Sequence, residues 1–120
     1  MVCLRKEPLR GNRRMENYVQ VSTTVDREED AEKIARVLVE QRLAGCVQIS
    51  PITSIYRWQG NVETAREWRL CAKTREDLCE AADRVIASLS SYSVPEVIVT
   101  PIIAGSESYL AWLDGELAGK

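Results

Sequence analysis

Residues 46–73 read as two long strand-like runs folded about Gly60-Asn61, and this hairpin constrains the chain more than any other feature. The dipeptide has the chemistry of a tight two-residue turn. Each arm runs for about twelve to fourteen residues, a span of roughly 40–45 Å at about 3.3 Å per residue. The helix read just before it, of about seventeen residues, covers only roughly 25 Å. The hairpin tip must therefore overhang whatever helices cover the sheet. Tyr56 and Trp58 lie on the overhang, and Trp68 lies on the returning arm. Clustered large apolar groups of this kind mark an interface. The expectation is that the hairpin packs on neighbouring subunits, with Tyr56, Trp58 and Trp68 as packing anchors. The alternative is shorter strands whose aromatics fold back onto their own core.

Periodicity supplies the remaining elements. Tyr18–Val25 alternates as a first strand, with Val19 and Val21 on one side. Asp26 is placed to cap a helix running to about Leu43, with Glu29 three residues on in a capping-box arrangement. Ala31, Ile34, Ala35 and Leu38 form its apolar stripe, and its acidic first turn reads as a solvated face favoured by the helix dipole. Gly45 stands where a helix stop belongs. In the second strand the apolar residues are odd-numbered up to Ile49 and even-numbered from Ile52. A two-residue repeat changes parity only with an extra residue, so a bulge or kink is expected at Ser50–Pro51. The third strand returns from Val62 to Lys73. Thr74 reads as the cap of a second helix with the stripe Leu78, Ala81, Ala82, Val85, Ile86 and Leu89. The next strand, Val97–Ile103, is apolar on both sides and is expected to be covered on both. A last helix runs from about Ser106 to Leu117, with Tyr109, Leu110 and Leu113 or Trp112 inward. The order βαββαβ plus a terminal helix predicts an α+β, ferredoxin-like sandwich with a long second-third strand hairpin. Its two helices cover one sheet face and leave the other open in a monomer.

A chain of 120 residues with a net charge of −2 fits one domain and argues against nucleic-acid binding. Residues 1–14 carry Arg5, Lys6, Arg10, Arg13 and Arg14 against Glu7, a local +4. Residues 1–15 read as a basic flexible extension, 16–117 as the folded domain and 118–120 as a tail. Met15 just before the first strand makes the extension readable as the product of an upstream start. It lacks the apolar stretch of a secretory signal, and no run in the chain could span a membrane. The chain contains no histidine. Cys3, Cys46, Cys71 and Cys79 include no C-x-x-C pair, so a zinc or iron–sulfur site has no ligand set. Reduced thiols fit an intracellular setting. With no Ser-His or Cys-His pair and no glycine-rich phosphate loop, hydrolytic and transfer chemistry find no support, and the chain reads as a non-enzyme.

The segment Ser90-Ser91-Tyr92-Ser93-Val94-Pro95-Glu96 joins the second helix to the last apolar strand. Glu96, at the strand entrance, needs a partner or an open pocket. Gly45-Cys46-Val47-Gln48-Ile49, Ser54-Ile55-Tyr56-Arg57-Trp58-Gln59-Gly60, Lys73-Thr74, Tyr92 with Pro95-Glu96, and Tyr109-Leu110-x-Trp112-Leu113 follow one another in order. Together they resemble the CutA family of divalent-cation tolerance proteins. The resemblance covers about residues 16–117. It implies a ferredoxin-like domain in a PII-like homotrimer, a cytoplasmic setting and a link to copper and other divalent cations. In members proposed to bind copper, the resemblance implies a cysteine at the position of Ser22, a histidine in the joint near Ser90, and the glutamate matching Glu96. Here only Glu96 remains. One carboxylate with neutral oxygens is a poor set for Cu(II), which favours imidazole and thiolate.

Lys73, Tyr92 and Glu96 are the polar candidates for an intersubunit cleft holding a small anion or other polar ligand. The competing reading is a Lys73–Glu96 interface ion pair. No resident cofactor follows from the sequence. Three functions remain open: a trimer in divalent-metal tolerance with weak metal binding, a PII-like small-molecule sensor, and a trimeric scaffold.

Overall fold

The computed structural model describes residues 9–11 and 17–119. Most of the basic extension, residues 1–8 and 12–16, lies outside the described residues, as does residue 120. The elements in chain order are β1 (Leu9–Gly11), β2 (Tyr18–Val25), α1 (Glu28–Glu40), β3 (Cys46–Trp58), β4 (Asn61–Arg75), α2 (Cys79–Leu89), β5 (Ile98–Pro101), β6 (Ala104–Ser106) and α3 (Glu107–Glu116). A 3-10 turn, Glu76–Leu78, leads into α2.

Four strands form one antiparallel sheet in the order β3-β4-β2-β5. This is the strand order of a ferredoxin-like sandwich, with α1 and α2 as the crossovers. Alternation puts Val19, Val21, Val25, Leu70 and Ala72 on one face, where they pack with Ala31, Ile34, Leu38, Ala82 and Ile86 of the two helices. Gln20, Ser22, Cys71 and Lys73 fall on the opposite face by the same alternation and register. Leu9–Gly11 lies within the stretch read as a flexible extension; its backbone pairs antiparallel with β6.

The hairpin arms are long, at 13 and 15 residues, and the tip projects past the helices. Gln59 and Gly60 turn it with positive φ, 49° and 83°. The expected bulge at Ser50–Pro51 is absent. The β3–β4 register runs unbroken from Cys46↔Lys73 through Pro51↔Trp68 to Trp58↔Asn61. The parity change has another cause. Val47 and Ile49 face the helices, but beyond Pro51 the helices end and the opposite face becomes the sheltered one, half-burying Ile52 and Ser54.

Three expected caps are also reassigned. No side chain caps α1, whose N-cap residue is Arg27. Arg27 instead pairs with Glu29 at 2.8 Å. Thr74 does not cap α2, because β4 continues to Arg75 and buries Thr74 within the sheet. Gly45 is not the residue that ends α1 in a left-handed turn; Arg42 is, with φ 60°. Gly45 answers a different need. A Cβ there would stand 2.6 Å from Leu113 Cδ1, so its bareness lets α3 dock.

α3 forms a second core of Leu110, Leu113 and Leu117 with Tyr18. Tyr109, expected inward, is outward with Trp112; their rings lie 5.5 Å apart. The strained Arg42 is held by its own side chain, which donates from Nε to Glu116 O at 3.0 Å and from Nη2 to Gly115 O at 2.8 Å. A guanidinium on the last carbonyls suits the negative end of the helix. Arg42→Ala is expected to cost about 1–2 kcal/mol by losing these bonds at a position still left-handed. Arg42→Gly loses the same bonds but relieves the backbone, and should lie about 1 kcal/mol above the alanine variant in urea unfolding.

β5 departs from expectation most. It spans four residues, pairs only with β2 at the sheet edge, and leaves Ile98 48% exposed. Being at the edge, this apolar strand is not covered on both sides within one chain. Ile103 beyond it is 80% exposed.

Candidate functional site: an aromatic and acidic cleft at the hairpin

The joint after α2 is held by its serines and its tyrosine. Ser90 Oγ accepts the Tyr92 backbone N–H at 3.1 Å, which tightens the turn. Ser91 Oγ donates to Asp26 Oδ1 at 3.0 Å, tying the joint to the end of β2. The Tyr92 hydroxyl donates to Glu67 Oε2 at 2.6 Å, a short bond to a carboxylate on β4. Burial, followed by that bond and the Glu67 charge, pushes the Tyr92 hydroxyl well above its ordinary pKa of 10.0.

These contacts wall a cleft of about 680 Å³, open on one side. Tyr56 and Trp58 form its hairpin wall, Thr24 and Glu67 its sheet floor, and Tyr92 and Glu96 the joint wall. Of the residues singled out from sequence, Tyr56, Trp58, Tyr92 and Glu96 meet here. Trp68 does not. It packs against the chain's own core, as the fold-back reading has it for that residue alone. Lys73 does not line this cleft within one chain. Its Nζ sits 5.5 Å from the centroid of the Tyr109 ring. Among the described residues no ion pair joins it to Glu96.

Glu67 and Asp26 do not stand out in the sequence as site residues, although both fix the joint. Glu67 pairs across from Ile52, on the hairpin face that carries Tyr56 and Trp58, but Glu63 and Arg69 share that face, so alternation alone does not single it out.

The loss of expected copper ligands is matched by local structure. Ser22 Oγ reaches the Ile98 carbonyl at 3.5 Å and Ser90 Oγ serves the joint backbone. Among the described residues no three His, Cys, Asp or Glu side chains are grouped to hold a metal. The residues present do not fit a histidine-type Cu(II) centre.

Removing the Tyr92 hydroxyl isolates the Glu67 bond. Tyr92→Phe is expected to cost about 1.5–3 kcal/mol, since the acceptor is charged. The pH dependence has a definite sign. A hydroxyl whose folded pKa is raised holds its proton more tightly in the folded state. Its stabilisation is full below pH 10 and is lost as pH rises beyond it. The wild-type and Tyr92→Phe stability curves should therefore converge above pH 10 in urea titrations. Parallel curves would contradict the assignment.

Fold and cleft together define a class: a ferredoxin-like α+β domain with a ligand-sized cleft under an overhanging hairpin. Residues 19–116 match the family model described as CutA1 divalent ion tolerance protein, and the chain belongs to that family. It is 45% identical over 100 residues to the divalent-cation tolerance protein CutA of Thermus thermophilus, covering 82% of this chain and 95% of that one. Its structure resembles CutA from Synechococcus elongatus with a TM-score of 0.85 at 34% identity, covering 92% and 96% of the two chains. It also resembles the periplasmic divalent cation tolerance protein CutA of Archaeoglobus fulgidus, with a TM-score of 0.81 at 34% identity over 87% and 100%.

Proposed function

We propose that this chain works as a non-enzymatic, PII-like homotrimer in a cytoplasmic response to divalent metal ions. The observation that carries the assembly is the exposed apolar surface on the hairpin tip and on β5: Ile55, Tyr56, Trp58, Val62, Ile98 and Val99. Large exposed apolar side chains on both faces of the hairpin tip and on an edge strand favour association. The tolerance role is supported by the names of the relatives. The cytoplasmic setting rests on the free thiols of Cys46, Cys71 and Cys79. It sets this chain apart from the Archaeoglobus relative, whose name says periplasmic.

Direct metal binding is weak in this reading, because Glu96 lacks nitrogen and sulfur partners. Calorimetric titration with Cu(II) and Zn(II) tests it. The expected result is weak heat without saturation at micromolar protein, unchanged in Glu96→Gln. Tight Cu(II) binding lost in that variant would overturn it.

A second reading has its own observation, the cleft beside Tyr92 and Glu96. A cavity of about 680 Å³ is within the size range of small-molecule sites. In this reading the trimer senses a metabolite there. Lys73 would have to come from a neighbouring copy, since within one chain it stands over Tyr109.

A further inference from the structure

We infer that Lys73 of one copy enters the cleft of the next and pairs with Glu67, so that the cleft is completed only in the assembly. This rests on the trimeric reading above and names the charge pair that sets how the copies meet.

The helix-free face of the sheet carries its charges in order. Alternation along β4 puts Glu63, Glu67, Arg69, Lys73 and Arg75 on that face. The β3 residues opposite the first four are uncharged: Tyr56, Ile52, Ser50 and Cys46. β2 adds no charge. The acids therefore lie toward the hairpin tip and the bases toward the body of the sheet. Arg75, the last of the series, is already paired with Asp77 and Asp114. Such a face complements itself when copies meet head to tail, the tip of one on the body of the next. A closed ring is built from contacts of this kind, in which two different patches meet.

Glu67 is the acid that needs a partner. It is only 9% exposed within one chain, and its hydrogen bond comes from the neutral phenol of Tyr92. A neighbour packed on Tyr56 and Trp58 beside it can only deepen that burial. A buried carboxylate with one neutral donor is costly, and a cation brought by the neighbour offsets the cost. Lys73 is the base placed to bring it. Six residues of strand separate it from Glu67, roughly 20 Å, so the pair cannot form within one chain. Its Nζ lies 5.5 Å from the Tyr109 ring centroid, and among the described residues no ion pair joins it to an acid. Arg69 stands midway along the face, whereas packing of tip on body brings the two ends together, and Lys73 is at the body end.

The test is a double-mutant cycle on assembly. Light scattering behind size exclusion, over a dilution series, gives the concentration at which the full chain dissociates. Glu67→Gln, Lys73→Gln, the double variant and Arg69→Gln are measured beside the wild type, with circular dichroism reporting on the fold. Glutamine at 67 keeps an acceptor for Tyr92. The expected result is that each of the first two variants dissociates at a concentration about tenfold or more above the wild type. The double variant should dissociate no more readily than the weaker of the two, because the second charge removed has lost its partner already. A wild type that is monomeric throughout would overturn the trimeric reading and the inference with it. An assembled wild type whose two single variants dissociate no more readily, or whose losses simply add in the double variant, would overturn the inference and leave the trimer standing. Coupling of Glu67→Gln to Arg69→Gln in place of Lys73→Gln would also overturn it.

Discussion

Arg75→Ala is expected to cost about 3 kcal/mol or more in urea unfolding, a larger loss than for the Arg42 or Tyr92 variants. The side chain is 2% exposed and carries a full charge. It is tolerated because each of the three guanidinium nitrogens has a partner. Nε donates to Asp77 Oδ1 at 2.9 Å and Nη2 to Asp77 Oδ2 at 3.3 Å. Nη1 donates to Asp114 Oδ1 at 3.1 Å, and Nη2 also reaches Ala118 O at 2.7 Å. The hydrogen bond to Asp77 is the chief cause holding its pKa above the ordinary arginine value. One residue at the end of β4 therefore fixes the turn into α2, the body of α3 and the chain beyond it. Alanine leaves a void and an unpaired Ala118 carbonyl. The two aspartates partly recover water, being 55% and 31% exposed, which limits the loss. Arg75→Met fills the space without the charge and should recover part of the stability. An alanine variant as stable as the wild type would show that α3 is not held by this network.

Ile98→Asp should have little effect on the fold of a single chain and a large effect on assembly. Ile98 is 48% exposed on an edge strand, where substitutions away from other contacts usually change stability by less than about 0.5 kcal/mol. At a subunit boundary the same aspartate would be buried without a partner, which is costly. Dissociation to monomers at micromolar concentration, with circular dichroism preserved, is the expected outcome in size-exclusion chromatography with light scattering. An unchanged mass would remove β5 from the interface.

Much of this fold is readable in the residues because it depends on local periodicity. Tyr18–Val25 emerges with its ends correct, since alternation and the following acidic turn coincide there. The stripe around Ala82 and Ile86 yields α2 for the same reason. The failures share one physical cause: positions where tertiary contact overrides a local signal. Gly45 looks like a helix stop and is a docking point for Leu113. Thr74 looks like a cap and is consumed by a strand that runs further than its alternation implies. The parity change at Ser50–Pro51 looks like a bulge, yet it records where the helices end. Tyr109 lies on the right helix but on its outer side, over Lys73.

The candidate site is legible in half. Tyr92 and Glu96 stand out because an aromatic and an acid flank a proline at a strand entrance. Tyr92's partner Glu67 lies 25 residues away in sequence, and the pairing of β2 with both β4 and β5 brings it under the joint. Lys73 stands out for its place beside Thr74, but pairing to Gln20 and Cys46 sets it further along the sheet. Sequence can nominate such side chains. Which of them share a cleft depends on strand register.

Assembly through the overhanging hairpin and edge strand sets the solution mass of the unmodified chain. Light scattering behind size exclusion at micromolar concentration is predicted to give about 40 kDa, three copies of a 13.5 kDa chain. A mass of 13.5 kDa under those conditions would contradict it.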